Sequence, residues 1–427
     1  MNDTGHNAAR PPGTPSNGLS GLLRNMGWMT LPNLIVKPAW FLFITLVCIR
    51  YMGLTEYGVM TAALALMSIC DGSLTLGSSP YTIRELARDP SRSSQFFSNL
   101  LVSRTLLSLL AILIGLGIRY VLGTGALDVV LFAGSYVFFR NLLEYCRAIF
   151  RAHEQFQVEA GSTIVEKALV IGAGSWALSV APDAASAMLG MSAGMGVAFL
   201  GTFAWTSRHM AAFRLSELSW SFFRKAIPHA VPLGLSSVFV LLYYRTDSIM
   251  LEAMEGDLVT GQYGLAFRIT EAMILLPFIV STVLLPRLSS LRDGDEGAFG
   301  RLFARGILGM AIVSGAAALI VWILAPWAIP FLDPSPEAIP AIGLLRILLI
   351  SFVLNAINQI GITHLTATHQ QNRLALVLAS AAVVNIGLNL TLIPSMSATG
   401  AAWATVATQG LILMLFLPAF LRPVNRG

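Results

Sequence analysis

Of the 427 residues, 55% are hydrophobic and only 11% are charged, and mean hydropathy is +0.71. A soluble domain carries about a quarter charged residues, so these side chains cannot build a water-facing surface. A secreted disulfide scaffold, a disordered chain and a soluble enzyme with one or two anchors are excluded. The net charge of +5 and the pI near 9.3 come without a basic run, which argues against nucleic acid as a partner.

Residues 1–29 hold Pro11, Pro12, Pro15, Arg10 and Arg24 but no apolar block of signal-peptide type, and read as a flexible cytoplasmic tail. A helix crossing the hydrocarbon core needs about 20 apolar residues. Twelve blocks qualify: 30–52, 56–80, 97–118, 126–150, 158–180, 185–206, 228–250, 262–286, 303–327, 340–362, 373–394 and 397–421. Cys48, Cys70 and Cys146 lie inside such blocks and read as small core hydrophobes, with neither a disulfide framework nor a metal site. The expected fold is an all-α polytopic membrane protein of about 12 transmembrane helices.

Cytoplasmic loops retain Lys and Arg. Connections on the side of the N-terminus carry 18 such residues, among them Arg84, Arg88, Arg92, Arg208, Arg214, Arg224, Lys225, Arg287 and Arg292, against only Arg50 and Arg119 on the other side. Both termini are therefore expected in the cytoplasm. The segment 208–227 reads as a cytoplasmic linker between six-helix lobes at 30–207 and 228–421, with 422–427 a cytoplasmic tail. The lobes look related. Met52 to Gly58 corresponds to Val259 to Gly264, Arg88-Asp89 to Arg292-Asp293, and Ala152 to Gln155 to Ala367 to Gln370. Six spans per lobe make the repeat parallel, with a pseudo-twofold along the membrane normal and a substrate path between the lobes.

Ionisable residues within spans cost about 2.5–3.5 kcal/mol at the bilayer centre and mark pathways or partners. The cations are Lys37, Arg104, Arg140, Lys167, Arg245, Arg268 and Arg346; the anions are Asp71, Glu144, Glu166, Asp247 and Glu271. Lys37 with Asp71 and Asp247 with Arg268 match in depth. Arg268 with Glu271 and Arg140 with Glu144 share helix faces. Glu166 and Lys167, being adjacent, are expected to point apart. Each couple can be a structural ion pair, yet cations remain in surplus, notably Arg104 and Arg346, which points to an anionic ligand. Pro228 and Pro232 mark a place where the seventh span can bend. Asn355, Asn358, Gln359, Asn385 and Asn389 either line the path or bond between helices, the second being favoured, and Gly190 with Gly194 is expected to pack closely against a neighbour. No catalytic constellation, phosphate loop or metal-ligand cluster is present, so neither an enzyme nor a cofactor is expected.

The stretch Ala226 to Pro228, Tyr244 to Leu251, Gly261 to Ile269 and Leu285 to Leu288 resembles the seventh and eighth helices of Wzx-type polysaccharide-biosynthesis flippases. That family sits in the superfamily of multidrug extruders and lipid II flippases. Tyr57-Gly58, Asp71-Gly72 and Ile83 to Asp89 resemble its second helix; Asn385 to Pro394 and Thr399 to Thr405 resemble its last junction. The resemblance implies two six-helix lobes that alternate access and move an undecaprenyl-diphosphate-linked oligosaccharide, such as an O-antigen or exopolysaccharide unit, to the outer leaflet. The buried cations would meet the diphosphate. A carboxylate among Asp71, Glu144, Glu166, Asp247 and Glu271 would couple H+ or Na+. Membrane lipids, a polysaccharide polymerase and a chain-length regulator are the partners it suggests. A multidrug or cation antiporter on the same fold is the first alternative, though it favours an acidic or aromatic cavity. An integral membrane polymerase or glycosyltransferase is the second, though the outer connections are too short to carry acid/base residues.

Overall fold

The structure, a computed structural model, describes residues 27, 35–75, 77–123, 126–291, 296–368 and 370–421. The tails expected at 1–29 (Gly27 excepted) and 422–427 lie outside these residues, as do Arg292, Asp293 and His369 of the repeat argument. Every regular element among the described residues is helical.

Helix α1 covers 35–52 and includes a π-helical stretch at Phe43–Cys48. Gly53, at φ 77° and ψ 173°, breaks the chain direction, and α2 follows over 54–74. After a left-handed Gly77 come α3 (Ser78–Arg88), α4 (Ser93–Leu122), α5 (Leu127–Ala152), α6 (Phe156–Val180) and α7 (Ala184–His209). The second half holds α8 (Trp220–Glu255), α9 (Asp257–Met273), α10 (Leu275–Leu291), α11 (Glu296–Leu332), α12 (Pro340–Ala367), α13 (Gln371–Met396) and α14 (Ala398–Leu421).

By length and apolarity nine helices among the described residues can cross a membrane, and the broken α8 makes ten. Gly53 divides the first of these, Ile35–Leu74, into two spans. Helix α5, whose apolarity Arg140, Asn141 and Glu144 dilute, completes the expected twelve. The chain is thus a multi-pass membrane protein. Its outward side chains fit that setting: Leu113, Val121, Trp176 and Val180 are each more than two-thirds exposed, a cost in water and none against lipid tails.

Small residues set the helix spacing. A Cβ on Gly190 would lie 2.5 Å from the Ala173 carbonyl oxygen, and one on Gly194 equally close to that of Leu169, so α7 packs on α6 as the small-residue spacing predicts. Between the halves the contact is tighter and reciprocal. A Cβ on Gly58 would sit 1.9 Å from the Asp257 carbonyl oxygen, and one on Gly261 would sit 1.9 Å from that of Leu54. Gly53 is matched by Gly256, also left-handed at φ 88°, a conformation that only glycine adopts without strain. The repeat therefore aligns Gly53, Leu54 and Gly58 with Gly256, Asp257 and Gly261. The sequence comparison had set Gly58 against Gly264. The three-residue error is close to one helical turn, so both registers bring the same face forward.

One large apolar core runs through both halves, with Met52, Leu54 and Tyr57 in the same cluster as Tyr263 and Leu265. Two smaller cores lie wholly in the second half, around Tyr243, Leu378 and Phe416 and around Leu284, Phe303 and Ile360. Helix α8 bends by 60° between Trp220–Val231 and Gly234–Glu255, at the expected Pro pair. There Gly77 approaches so closely that a Cβ would lie 1.8 Å from the Ala230 carbonyl oxygen. The halves therefore meet at two levels: α2 on α9 near Gly58, and the end of α2 on α8 near Gly77. The second level lies toward the face that carries the Arg-rich connections, the basic face; the first lies toward the opposite face.

Candidate functional site

Charges of the first half gather on α2, α4, α5 and α6. Arg104 is buried (5% exposed), and its guanidinium donates to Ser78 Oγ at 2.7 and 2.9 Å, to Ser79 Oγ at 2.7 Å and to the Asn141 carbonyl at 3.0 Å. Its face lies 4.8 Å from the Tyr145 ring centroid. Asp71 accepts from Ser108 and, at 3.1 Å, from Asn141 Nδ2. The expected Lys37–Asp71 pair is absent among the described residues: Lys37 stands over the Phe278 ring, 5.5 Å from its centroid. Arg104, counted as surplus in the sequence, is spent on holding the start of α3 against α5.

On α5 and α6 the pairing also differs from the sequence reading. Glu144 pairs with Arg147 at 3.5 Å and with Arg151, not with Arg140. Arg151 also reaches Glu159 at 2.8 Å. Glu166 lies 2.8 Å from Arg147 and 2.7 Å from Lys167. Adjacency does not force the last two apart, because the four-carbon lysine stem curls back to its neighbour. The Lys167 ammonium also stands 4.5 Å from the Trp40 ring centroid. Arg140 alone in this group is exposed and, among the described residues, has no ion pair. It stands against the Tyr136 ring at 5.9 Å, and its charge reaches both Asp71 and Lys167. Five cations (Arg104, Arg140, Arg147, Arg151, Lys167) thus face four carboxylates (Asp71, Glu144, Glu159, Glu166), and the excess charge is Arg140.

In the second half Glu271 lies between two guanidinium groups, 3.0 Å from Arg245 and 2.7 Å from Arg268. Arg268 also interacts with Tyr57 of α2, so this cluster, again one positive charge in excess, looks onto the first half. Arg346 lies apart, 4.3 Å over the Trp322 ring. Asp247 is not paired with Arg268. It is 2% exposed and receives only neutral donors: Tyr263 Oη at 2.8 Å, Thr405 Oγ1 at 2.7 Å and Asn389 Nδ2 at 2.6 Å. Asn389 Nδ2 donates also to Asn385 Oδ1 at 3.2 Å, while Asn389 Oδ1 is buried with no hydrogen-bond partner. The asparagines thus do bond between helices, and Asn355 to Tyr244 at 2.7 Å and Asn358 to Gln409 at 2.9 Å continue the pattern.

Sequence reasoning missed a charge pair at the opposite face. Arg119 of α4 and Glu252 of α8, 2% and 5% exposed, form a salt bridge across the two halves. On the other side of the Gly58 crossing, Arg50 of α1 donates to the Phe331 carbonyl of α11 at 2.7 Å. Arg119 counts as a loop cation in the sequence; its place in the last turn of an apolar helix, with the acidic end of α8 (Glu252, Glu255) on the same face, is the usable signal. Arg147, one of the 18 cations counted on the side of the N-terminus although it falls within the block 126–150, is missed in the same way.

The comparisons agree with this architecture. The family model described as polysaccharide biosynthesis protein matches residues 22–292, and the MatE model matches 232–391. The protein named "Probable flippase AglR" from Haloferax volcanii is 29% identical over 186 residues, which cover 43% of this chain and only 39% of that relative's length. Among solved structures, an inward-facing multidrug resistance MATE family transporter superposes with a TM-score of 0.73 at 14% identity, covering 92% of this chain and 96% of its own. Lipid II flippase MurJ in an inward closed conformation also gives 0.73, at 15% identity, with 92% and 87% covered. An outward-facing MATE transporter gives 0.63 at 15% identity, with 93% and 94% covered. The fold is that of MATE transporters and MurJ, and with well over half its length matched the chain belongs to the polysaccharide biosynthesis protein family.

Proposed function

We propose that this protein flips an undecaprenyl-diphosphate-linked oligosaccharide from the inner to the outer leaflet of a bacterial cytoplasmic membrane, both termini cytoplasmic, as two lobes, 30–207 and 228–421, alternate access. One observation carries the substrate class: after all buried pairs are formed, Arg140 remains exposed and unpaired beside Lys167 and Asp71. A guanidinium in that position suits a diphosphate, to which it can donate two parallel hydrogen bonds. Lys37, equally without a carboxylate partner among the described residues, adds to the same charge. Lys167, Arg245 and Arg268 are already engaged by Glu166 and Glu271, so they shape the potential without being the first contact. Arg104 and Arg346 recede to structural roles.

Coupling falls to Asp247. Its cage of neutral donors leaves the buried negative charge uncompensated, and the unpartnered Asn389 oxygen beside it offers a second ligand. Such an all-oxygen set suits a hard monovalent cation or a proton. Uptake at Asp247 touches α8, α9, α13 and α14 together, the elements that must shift if the Gly58 crossing and the Arg119–Glu252 bridge at the opposite face are to part.

Deleting the gene should trap lipid-linked repeat units in the inner leaflet, and the wild-type gene should restore surface glycan where Arg140→Gln does not. Normal surface glycan in the deletion strain, with no redundant flippase, overturns the proposal. A MatE-type drug antiporter is the second reading, favoured by the match over 232–391; it predicts drug sensitivity in the deletion strain and an unchanged glycan.

A further inference from the structure

At the basic face a cleft of about 110 Å³ opens between the halves, lined by Tyr81 of α3, Arg92 and Gln95 at the start of α4, and Ser221, Phe222 and Lys225 in the first turns of α8. Its floor is aromatic: the Tyr81 and Phe96 rings lie 5.7 Å apart, and Phe96 meets Phe222 edge-on at 4.9 Å. Every polar group on the wall can donate a hydrogen bond, and no carboxylate lines it. Arg92 lies 5.0 Å over the Phe96 ring with its Nε on Gln95 Oε1 at 3.3 Å. Neither Arg92 nor Lys225 has an ion pair among the described residues, and both are exposed. His229 borders the same tyrosine with its ring 6.1 Å away, and Arg84 stands over it at 5.7 Å with its own charge met by Glu85 at 3.2 Å.

The depth of the cleft is set by its neighbours. Trp220, the first residue of α8, is 75% exposed, and Leu215, five residues earlier, is 70% exposed, and large apolar side chains beside cations are what a segment presents to the boundary between headgroups and acyl chains. A cavity with converging cations at that depth meets lipid phosphate before it meets a solute. We propose that this cleft binds the phosphate of an anionic membrane lipid. Arg92 stands at the start of α4 in the first half and Lys225 in the first turns of α8, which runs on from the segment 208–227 into the second half, and they flank the seam where Gly77 meets Ala230. Without an anion the two like charges push this seam apart; with a phosphate between them the sign of the interaction reverses. The lipid is thus a clasp on the basic face, separate from the Arg140 cluster and independent of what the transporter carries.

The test measures the thermal unfolding midpoint of the detergent-purified chain with phosphatidylglycerol, with phosphatidylcholine and with inorganic phosphate. Phosphatidylglycerol alone should raise the wild-type midpoint, and the increment should fall below half in Arg92→Gln/Lys225→Gln. It should survive in Arg92→Lys/Lys225→Arg and in Arg88→Gln/Arg208→Gln, which removes the same charge elsewhere on the basic face. Equal increments in all variants would mean diffuse attraction and overturn the site, and an equal effect of inorganic phosphate would overturn the lipid assignment. Spin labels at Ser91→Cys and Arg224→Cys should report a narrower distance distribution with phosphatidylglycerol; an unchanged distribution overturns the clasp.

Discussion

Glu166 and Asp247 are buried in opposite company, a contrast between two sites and not between whole halves, since Glu271 of the second half also lies between two guanidinium groups. Glu166 in the first half sits between Arg147 and Lys167, whereas Asp247 in the second is held by a tyrosine, a threonine and an asparagine. The first arrangement is closed electrostatically and leaves Arg140 as its one excess charge. The second is closed sterically and leaves its own charge open. A carboxylate between cations has little reason to take up another ion, and one among neutral donors has every reason to. The two sites share one fold and differ in chemistry: the proposed anion contact, Arg140, stands beside paired carboxylates, and the proposed cation site is the caged Asp247.

Breaking the charged arrangement should produce the largest effect. Removing one partner of a buried ion pair costs about 3–5 kcal/mol, because the other charge stays buried alone. Arg119→Met, which leaves Glu252 alone, should therefore lower folded protein in the membrane steeply, and Arg147→Met should do so less, because Lys167 still holds Glu166. Read as thermal unfolding of the purified variants, the double replacement Arg119→Met/Glu252→Met should recover most of the loss, whereas Arg147→Met/Glu166→Met should not, because it leaves Lys167 without its carboxylate. An Arg119→Met/Glu252→Met variant as unstable as the single one would mean that packing, not charge, holds this pair.

Asp247→Asn tests the other side of the contrast. Neutralisation there removes a charge with no counterion, so abundance and unfolding midpoint should hold or rise while ion-driven transport is lost. Measured flipping in vesicles with imposed proton and sodium gradients separates the outcomes. Gradient-dependent transport by Asp247→Asn would show that the caged aspartate is structural after all. Next in size is Arg140→Gln. Loss of one charge-assisted hydrogen bond is worth about 1.5–3 kcal/mol, so apparent substrate affinity should fall by about 10- to 100-fold with abundance unchanged. A fall in abundance would place Arg140 among the paired cations.

Span number and lipid-facing helices were legible because a 20-residue apolar block has few alternatives, and the bend at Pro228 and Pro232 because proline removes a helical hydrogen bond. Pairing was much less legible. Depth and face narrow the partners of Asp247 to a few residues, yet cannot say that α13 and α14 bring Asn389 and Thr405 to it in place of Arg268. Two long side chains on neighbouring positions, Glu166 and Lys167, can meet or part with no change in backbone, so adjacency decides nothing. The repeat was visible, but its register needed the Gly58 and Gly261 backbone contacts, which leave no composition signal beyond a glycine.

The smallest effect sharpens the comparison from the neutral side. Hydrogen bonds between helices in membranes average about 0.6 kcal/mol, because the unassembled helices find other partners. Tyr244→Phe removes the acceptor that Asn355 uses at 2.7 Å without touching the Asp247 cage, so unfolding should shift by about that amount and ion dependence should stay the same. Thr405→Val removes a bond of the same neutral kind, but one made to Asp247 at 2.7 Å. Its stability cost should be similar, while the ion concentration for half-maximal transport rises. If both variants change ion dependence alike, the neutral network acts as one unit, and the distinction between cage and packing disappears. If neither does, the coupling ion is bound elsewhere.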